Sequence, residues 1–278
     1  MRTRLACLLT AIASVSLSSN VAGLSWREVA IAQTVSPPLP EQAITTQPSF
    51  SVTYTPAETQ RGQEVQDFLQ QARVFEQLLL RLNDVYALPE PITLNQAECG
   101  MVNAFYSPND RQITMCYELT DYFFELFAAQ RQPGDPPIEL PTISTLAFVM
   151  LHELGHAFID ILDVPVLGRE EDAVDQFSAV LLAQTGGGRA TAEAAATWFY
   201  LSSQQQNPAN IPYWGEHSLD LQRFHSIVCM LYGSSPEEYA GLMQGLNIPE
   251  RRQAMCQQEY ANALENWDEI LEPIRIAP

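Results

Sequence analysis

The chain has 278 residues, of which 46% are apolar and 17% charged, a balance typical of globular proteins that excludes wholesale disorder. Thirty-three acidic residues face 14 basic ones, all of them Arg and none Lys, so the formal net charge is −19. A protein this acidic repels phosphate groups, so we expect neither nucleic acid nor an anionic membrane surface as a partner.

The N-terminus has the pattern of a secretory signal. Two Arg among residues 1–4 precede the apolar run Leu5–Leu17, which is followed by small and polar residues. The run is shorter than the ~20 residues of a membrane span. Ala30–Ala32 offers an A-x-A cleavage site, and Val21–Gly23 is an earlier alternative. We therefore predict a signal peptide over 1–32, a secreted or periplasmic protein, and no membrane span after cleavage.

A proline-rich stretch follows the signal. Five prolines between positions 36 and 56 interrupt a polar segment without helical period, so residues 33–56 are predicted as an exposed linker or arm. Whether this arm is a tether or a pro-segment stays open. The domain proper is predicted over 57–278, and its first helix carries apolar residues at spacings of three and four from Val65 to Tyr86.

The remaining elements give a mostly helical pattern. Ile92–Leu94 and a hairpin over 100–116 predict a few strands, and Tyr117–Arg131 predicts a helix that a proline-rich turn ends. Gly186–Gly188 is predicted as a helix break. The fold class is therefore α+β, mostly helical, with a small sheet before the later helices. Those helices are predicted over 142–163, 169–185, 190–206, 218–232, 236–246 and 250–271.

Four cysteines remain once the signal, with Cys7, is removed, and an even number in an exported protein predicts two disulfides. Three pairings are possible in principle. The hairpin favours Cys99–Cys116, because folding it brings these residues opposite each other. Cys229–Cys256 then follows and would join two C-terminal helices. A cysteine metal site is not expected, because the chain contains no C-x-x-C pair.

Residues 152–156 read His-Glu-Leu-Gly-His within an apolar helix. Positions i and i+4 lie on one helix face, so the imidazoles of His152 and His156 can reach one ion, as tetrahedral zinc requires. Glu153 is placed to take a proton from a water that the metal activates. We predict a Zn²⁺ site with these histidines as ligands and Glu153 as general base. Two histidines packed in a core are the simpler alternative.

The third ligand is predicted downstream. A metzincin motif is excluded, because Ile159 and Leu162 occupy the positions of its Gly and third His. Glu171 and Asp175 form an E-x-x-x-D on one helix face, which in gluzincins supplies a ligand Glu and an Asp that orients a ligand His. We predict these roles for Glu171 and Asp175. The alternative ligands left open are Glu170, Asp175 and Asp160.

The run HELGHAFIDILDVPVLGREEDAVDQF, with ECGMVNAFYSPNDRQITMCYEL before it, resembles a bacterial family of exported metallopeptidases known as a domain of unknown function. The likeness covers roughly residues 60–272. It implies a zincin-like fold and zinc dependence of the gluzincin type, and it implies no particular substrate.

His217 and Arg223 are six residues apart, which is similar to the H-P-x-x-x-x-R segment of integral-membrane and periplasmic gluzincins that cleave misfolded or prenylated proteins. The resemblance implies that His217 lies near the metal and that Arg223 lies near the transition-state oxyanion. Ser218 stands where those proteins have Pro. The alternatives are that His217 caps the 218–232 helix and that Arg223 pairs with an acidic residue.

Together the residues predict a secreted or periplasmic zinc metallopeptidase that acts as a monomer on a peptide or protein. A zincin scaffold that only binds metal or a partner is the alternative, and an exported domain without metal is a third possibility. A strand beside the site helix is expected to pair with extended substrate. Asn103–Tyr106 and Ile113–Met115 are the candidates for that strand.

Overall fold

The computed structural model describes residues 48–276 except 208, 210 and 212. A small sheet packs against a set of helices, which confirms the predicted α+β class with helices predominating. The predicted signal peptide and the arm up to residue 47 lie outside the described residues.

The sheet has four strands and lies in the first half of the described chain. Its spatial order is β1-β2-β4-β3, in which β2 pairs in parallel with both β1 and β4. The short strand β3 runs antiparallel to β4 and forms an outer edge. The strands are β1 (Phe50–Tyr54), β2 (Ile92–Ala97), β3 (Ala104–Ser107) and β4 (Gln112–Cys116).

Strand β1 lies inside the segment predicted as an arm. Its pairing with β2 aligns Phe50 with Ile92, and the ring of Phe50 is 2% exposed and meets Phe158 edge-on. The strand was not predicted for two reasons. Pro48 and Pro56 flank it, so the segment has the composition of a linker, and its partner strand lies some forty residues away. The end of the predicted arm is therefore part of the sheet, because it buries an aromatic side chain there.

Two helices replace the single first helix that was predicted. α1 (Gln60–Ala72) ends and α2 (Val74–Val85) begins at Arg73, whose backbone is left-handed with φ 51°. The prediction was wrong here because the apolar spacing continues across the junction, so the pattern carries no sign of the break. Both helices form the crossover that makes β1 and β2 parallel.

The later helices agree with the prediction apart from their ends. Gly186–Gly188 was predicted as a break, but these residues form the first turn of α6, where the Thr185 hydroxyl accepts a hydrogen bond from Gly188 N at 3.1 Å. A Cβ on Gly188 would lie 2.1 Å from the Leu182 carbonyl oxygen, so the turn requires glycine. The helices are α3 (Tyr117–Gln130), α4 (Glu139–Ile161), α5 (Glu170–Ala183), α6 (Gly186–Gln205), α7 (Asp220–Ser234), α8 (Pro236–Gly245) and α9 (Glu250–Leu271).

Helix α4 is the centre of the fold. By length and composition it could cross a membrane, but 83% of its apolar window is buried inside the protein, as expected of a core helix. α5 packs closely on it at Gly155, where a Cβ would lie 2.8 Å from Val174 Cγ1. The missing side chain at Gly155 therefore sets how near α5 approaches the histidines of α4.

Both predicted disulfides are confirmed. Cys99 bonds Cys116 beside the β3–β4 hairpin, and Cys229 of α7 bonds Cys256 of α9. Disulfides persist in oxidising surroundings, so the two bonds indicate an extracellular type of environment.

Removing the helix-joining disulfide is expected to destabilise the protein strongly. Replacing Cys229 and Cys256 by Ala frees a loop with a sequence separation of 27, which lowers the free energy of unfolding by about 3.5 kcal/mol in the chain-entropy model. Guanidinium unfolding followed by circular dichroism measures the change. Unfolding the wild type in reductant also breaks Cys99–Cys116, so its midpoint is expected to fall further than that of the double variant. An unchanged midpoint in the double variant contradicts the prediction.

Candidate active site

A cleft of about 880 Å³ opens between the edge strand β3, the middle of α4, the first turn of α5 and the segment that precedes α7. The predicted site residues His152, Glu153, His156, Glu171 and His217 all line it. These five residues come from three separate parts of the chain, namely α4, α5 and the segment before α7, and meet in one place.

The two histidines of α4 lie one turn apart with their ring centroids 5.0 Å from each other. His152 is 5% exposed, since α4 is buried along this stretch, whereas His156 lies nearer the solvent. Their Nε2 atoms lie 3.0 Å and 3.5 Å from the two carboxylate oxygens of Glu171. The i, i+4 spacing thus directs both imidazoles toward one carboxylate on the neighbouring helix.

The second nitrogen of each imidazole has its own acidic partner. His152 Nδ1 lies 2.8 Å from Asp175 Oδ1, and His156 Nδ1 lies 2.7 Å from Glu170 Oε1. Burial alone lowers the pKa of His152, but its hydrogen bond to Asp175 and its close contact with the Glu171 carboxylate outweigh burial and raise the pKa to about 9. The same opposition, with Glu171 and Glu170 as partners, raises the pKa of His156.

Asp175 is held by a cation as well as by the histidine. Arg223 binds it with two nitrogens, Nε at 2.6 Å and Nη2 at 2.7 Å, and the guanidinium lies over the Phe199 ring. Burial raises the pKa of Asp175, but the charge of Arg223 and the bond to His152 prevail and lower it to about 2. Asp175 is therefore an anion fixed between an arginine and the buried histidine.

His217 reaches the same point from the segment before α7. Its Nε2 lies 2.8 Å from Glu171 Oε2, and its ring is stacked nearly parallel to that of His152, with 6.1 Å between centroids. The ligand atoms of His152, Glu171 and His217 lie within 4.8 Å of one another, so these residues form a group that could hold a metal ion. The helix predicted from 218 begins at Asp220, so His217 lies outside it.

Glu153 lies beside these groups with only 7% of its surface exposed. The pKa of Glu153 is raised, because burial outweighs the opposing effects of its neighbours. Those effects come from the charges of His152 and His156 and from a backbone hydrogen bond donated by Tyr106 of β3. The general-base candidate is thus tied to the edge strand.

The alternative third ligands occupy other positions. Glu170 contacts the outer nitrogen of His156, and Asp175 contacts the outer nitrogen of His152. Asp160 points toward the hairpin, where it accepts a hydrogen bond from the Tyr106 hydroxyl at 2.9 Å and pairs with Arg111. Of the four candidates, Glu171 alone meets the inner nitrogens of both α4 histidines.

Three residues in or beside the cleft make contacts that the sequence did not predict. Tyr106 and Arg111 join the hairpin to α4 through Asp160, and Arg169 donates to the His217 carbonyl oxygen at 3.3 Å. The adjacent acids Glu170 and Glu171 could have predicted that two carboxylates of α5 contact the α4 histidines, since neighbouring helix positions can face two different histidines. The partners of Asp160 carried no such signal, because they lie about fifty residues away.

The fold and the site define a class: a helical α+β protein in which an H-E-x-x-H helix meets an E-x-x-x-D helix around a possible metal-holding group. The model of the family described as "Putative metallopeptidase" matches residues 54–271. The chain belongs to this metallopeptidase family, which confirms the resemblance seen in the sequence, and the family implies a metal. Neither a curated protein nor a solved structure matches the chain significantly.

Proposed function

We propose that the protein is an exported zinc-dependent peptidase of the gluzincin type that hydrolyses peptide bonds. One observation carries this proposal. The inner nitrogens of His152 and His156 and the carboxylate of Glu171 converge, while Asp175 and Glu170 hold the outer nitrogens. Partners of this kind orient ligand histidines in metal sites and increase their basicity.

The converging residues fit a divalent cation. Glu171 Oε2 is buried and lies within 3.0 Å of His152 Nε2 and 2.8 Å of His217 Nε2, yet it makes no hydrogen bond of acceptable geometry. Imidazole and carboxylate groups are the donors that catalytic zinc sites use. We propose His152, His156 and Glu171 as the ligands. When bound, zinc polarises the substrate carbonyl and increases the acidity of a water molecule.

Glu153 is proposed as the general base. It accepts a proton from the attacking water at its carboxylate and passes it to the leaving amine. Its burial beside the ligands places it next to the reacting atoms, and the Tyr106 N–H restricts its orientation. A carboxylate in this position need not be exposed to the solvent, because its proton moves within the cleft.

The edge strand β3 is proposed to pair with extended substrate. Between the two predicted candidates, β4 lies inside the sheet, whereas Asn103–Tyr106 contains the outer strand. The Asn103 carbonyl accepts from Cys116 N and so faces β4, while the N–H of Tyr106 faces Glu153. Alternation along the strand then turns the backbone groups of Ala104 toward the cleft, where a peptide can bond them.

His217 and Arg223 receive different roles. The Arg223 side chain is 11% exposed and bound twice to Asp175, so we propose it as a positioning residue that acts through Asp175 and His152 rather than as an oxyanion donor. The side chain of His217 is 50% exposed and close to Glu171, and we propose that it faces the developing oxyanion.

Metal removal tests the proposed function. Purified mature protein is expected to contain bound zinc and to cleave an unfolded protein substrate; a chelator abolishes cleavage and added zinc restores it. Mass spectrometry of the metal and of the cleavage products measures both. Bound zinc without turnover across diverse peptides would support a binding module instead. No bound zinc, together with no thermal shift on adding zinc, would overturn the metal site itself.

A further inference from the structure

The cleft is rich in acidic side chains. Six carboxylates line it, against one arginine, Arg223, and three histidines among the described lining residues. Glu153 and Glu171 belong to the proposed reaction centre, and Glu170 is bound to His156. Asp160 is paired with Arg111. The two carboxylates of the cleft that are left without such a role or partner are Glu216 and Asp220.

These two carboxylates flank His217 on the segment that leads into α7. Within the described part of the chain neither of them forms an ion pair: Arg223 is bound to Asp175 by two hydrogen bonds, and Arg223 and His217 act on Asp220 only at longer range. Asp220 is half-buried and accepts a hydrogen bond at Oδ2 from the Gln206 amide at 2.7 Å. Two acids that line a cleft and form no ion pair of their own favour a ligand with positive charge.

The wall next to Asp220 combines the apolar side chains of Trp198 and Val149 with the polar ones of Ser202 and Gln206. Trp198, Ser202 and Gln206 follow one another at i, i+4 and i+8 along α6 and its C-terminal end, and all three line the cleft. Tyr122 joins this wall through its hydroxyl, 3.2 Å from the Ser202 hydroxyl. Val149 extends the wall on α4 to one turn before His152. A long apolar stem can therefore lie along this wall beside the proposed reaction centre.

Resting on the proposed peptidase function, we propose that the cleft selects substrates by a cationic side chain beside the scissile bond, Lys in preference to Arg, with Asp220 and Glu216 as the specificity-determining residues. A Lys side chain has both the apolar stem and the charged head that this part of the cleft accepts.

The preference for Lys over Arg follows from the hydrogen bonding of the Asp220 carboxylate. Gln206 donates to Oδ2 of Asp220, which leaves Oδ1 as the oxygen without a hydrogen-bond partner among the described residues. An ammonium group is a point charge that one oxygen can bind, whereas a guanidinium binds best when two oxygens meet its planar fork.

The composition of the chain is an independent observation in the same direction. All 14 basic residues are Arg, and Lys is absent from the 278 residues. A peptidase that prefers Lys beside the scissile bond finds no preferred site in other copies of itself.

Binding to an inactive variant tests the proposal without turnover. The probes are labelled peptides that differ at one position, occupied by Lys, Arg or norleucine, which matches the Lys stem without its charge. Fluorescence anisotropy with zinc-loaded Glu153→Gln protein, disulfides intact, gives the dissociation constants. We expect the Lys peptide to bind about tenfold more tightly than the norleucine peptide, the effect of one charge-assisted hydrogen bond, and more tightly than the Arg peptide.

Charge-neutral variants identify the residues responsible. Adding Asp220→Asn and Glu216→Gln is expected to remove the advantage of Lys over norleucine. Asp67→Asn with Glu237→Gln changes the net charge equally at exposed positions outside the cleft and keeps that advantage. Gln206→Leu frees the second oxygen of Asp220 and is expected to raise the affinity for the Arg peptide relative to Lys.

Three results would overturn the proposal: equal binding of Lys and norleucine peptides, Arg binding at least as tightly as Lys, or an equal loss of preference in the control pair. Turnover by the wild type separates this proposal from the peptidase function. Cleavage of norleucine and Lys peptides at equal rates upholds the peptidase and overturns the selectivity. Selective binding of the Lys peptide without cleavage of any peptide upholds the selectivity and overturns the peptidase.

Discussion

Replacing Glu153 by Gln is expected to lower kcat by about 10²–10⁴-fold while the protein keeps its zinc, because the amide cannot accept the proton of the attacking water. The substitution preserves the shape of a side chain that is 7% exposed, so the packing of α4 should not change. Steady-state cleavage of an unfolded protein, measured beside the metal content and the thermal unfolding midpoint, tests this result.

The matched control for this variant is Glu237→Gln, the same chemical change on the exposed first turn of α8. It should leave kcat unchanged. Equal cleavage by the Glu153→Gln protein and the wild type would eliminate Glu153 as the base. Loss of zinc together with activity would instead show that Glu153 acts on the metal site.

The neighbours Glu170 and Glu171 should differ sharply in their effect on zinc affinity. Glu171→Gln removes the carboxylate that meets the inner nitrogens of both α4 histidines. We expect its zinc affinity to fall by more than the ~10–100-fold that is typical of residues that only orient a ligand. Glu170→Gln changes an orienting partner of His156, so its loss should stay within that range. Competition with a chromophoric chelator measures both affinities.

Two histidine variants complete this comparison. His156→Ala should abolish tight zinc binding, since His156 is a proposed ligand. His217→Ala should retain zinc and lose cleavage, since His217 is proposed to face the oxyanion. A stronger loss of zinc in His217→Ala than in His156→Ala would reverse the two roles and make the group of His152, Glu171 and His217 the ligand set.

Much of the fold was predictable because its signals are local. The apolar periodicity that predicts α3 to α9 lies within each helix, and the hairpin that pairs Cys99 with Cys116 lies within twenty residues. β1 and the break at Arg73 were not predictable in this way. The first depends on a distant strand, and the second leaves the apolar spacing undisturbed.

The same difference between local signals and distant contacts holds for the candidate site. The i, i+4 spacing of His152 and His156 places both imidazoles on one helix face, whatever the rest of the chain does. The choice between Glu170 and Glu171 is different, because adjacent positions on α5 point about 100° apart. Only the way α5 approaches α4, close at Gly155 and Val174, decides which of them meets the inner nitrogens.

The sequence by itself therefore determined the family and most of the helical framework, since short spacings encode both. The hairpin indicated Cys99–Cys116, and Cys229–Cys256 followed by elimination. Tertiary structure alone assigned Asp160 to the hairpin, committed Arg223 to Asp175, and left Glu216 and Asp220 facing the cleft without an ion pair among the described residues. The physical reason is that these outcomes depend on which side chains meet across elements far apart in the chain. The number of charged residues can be read from a sequence, but the packing of the elements decides which charged side chains form pairs.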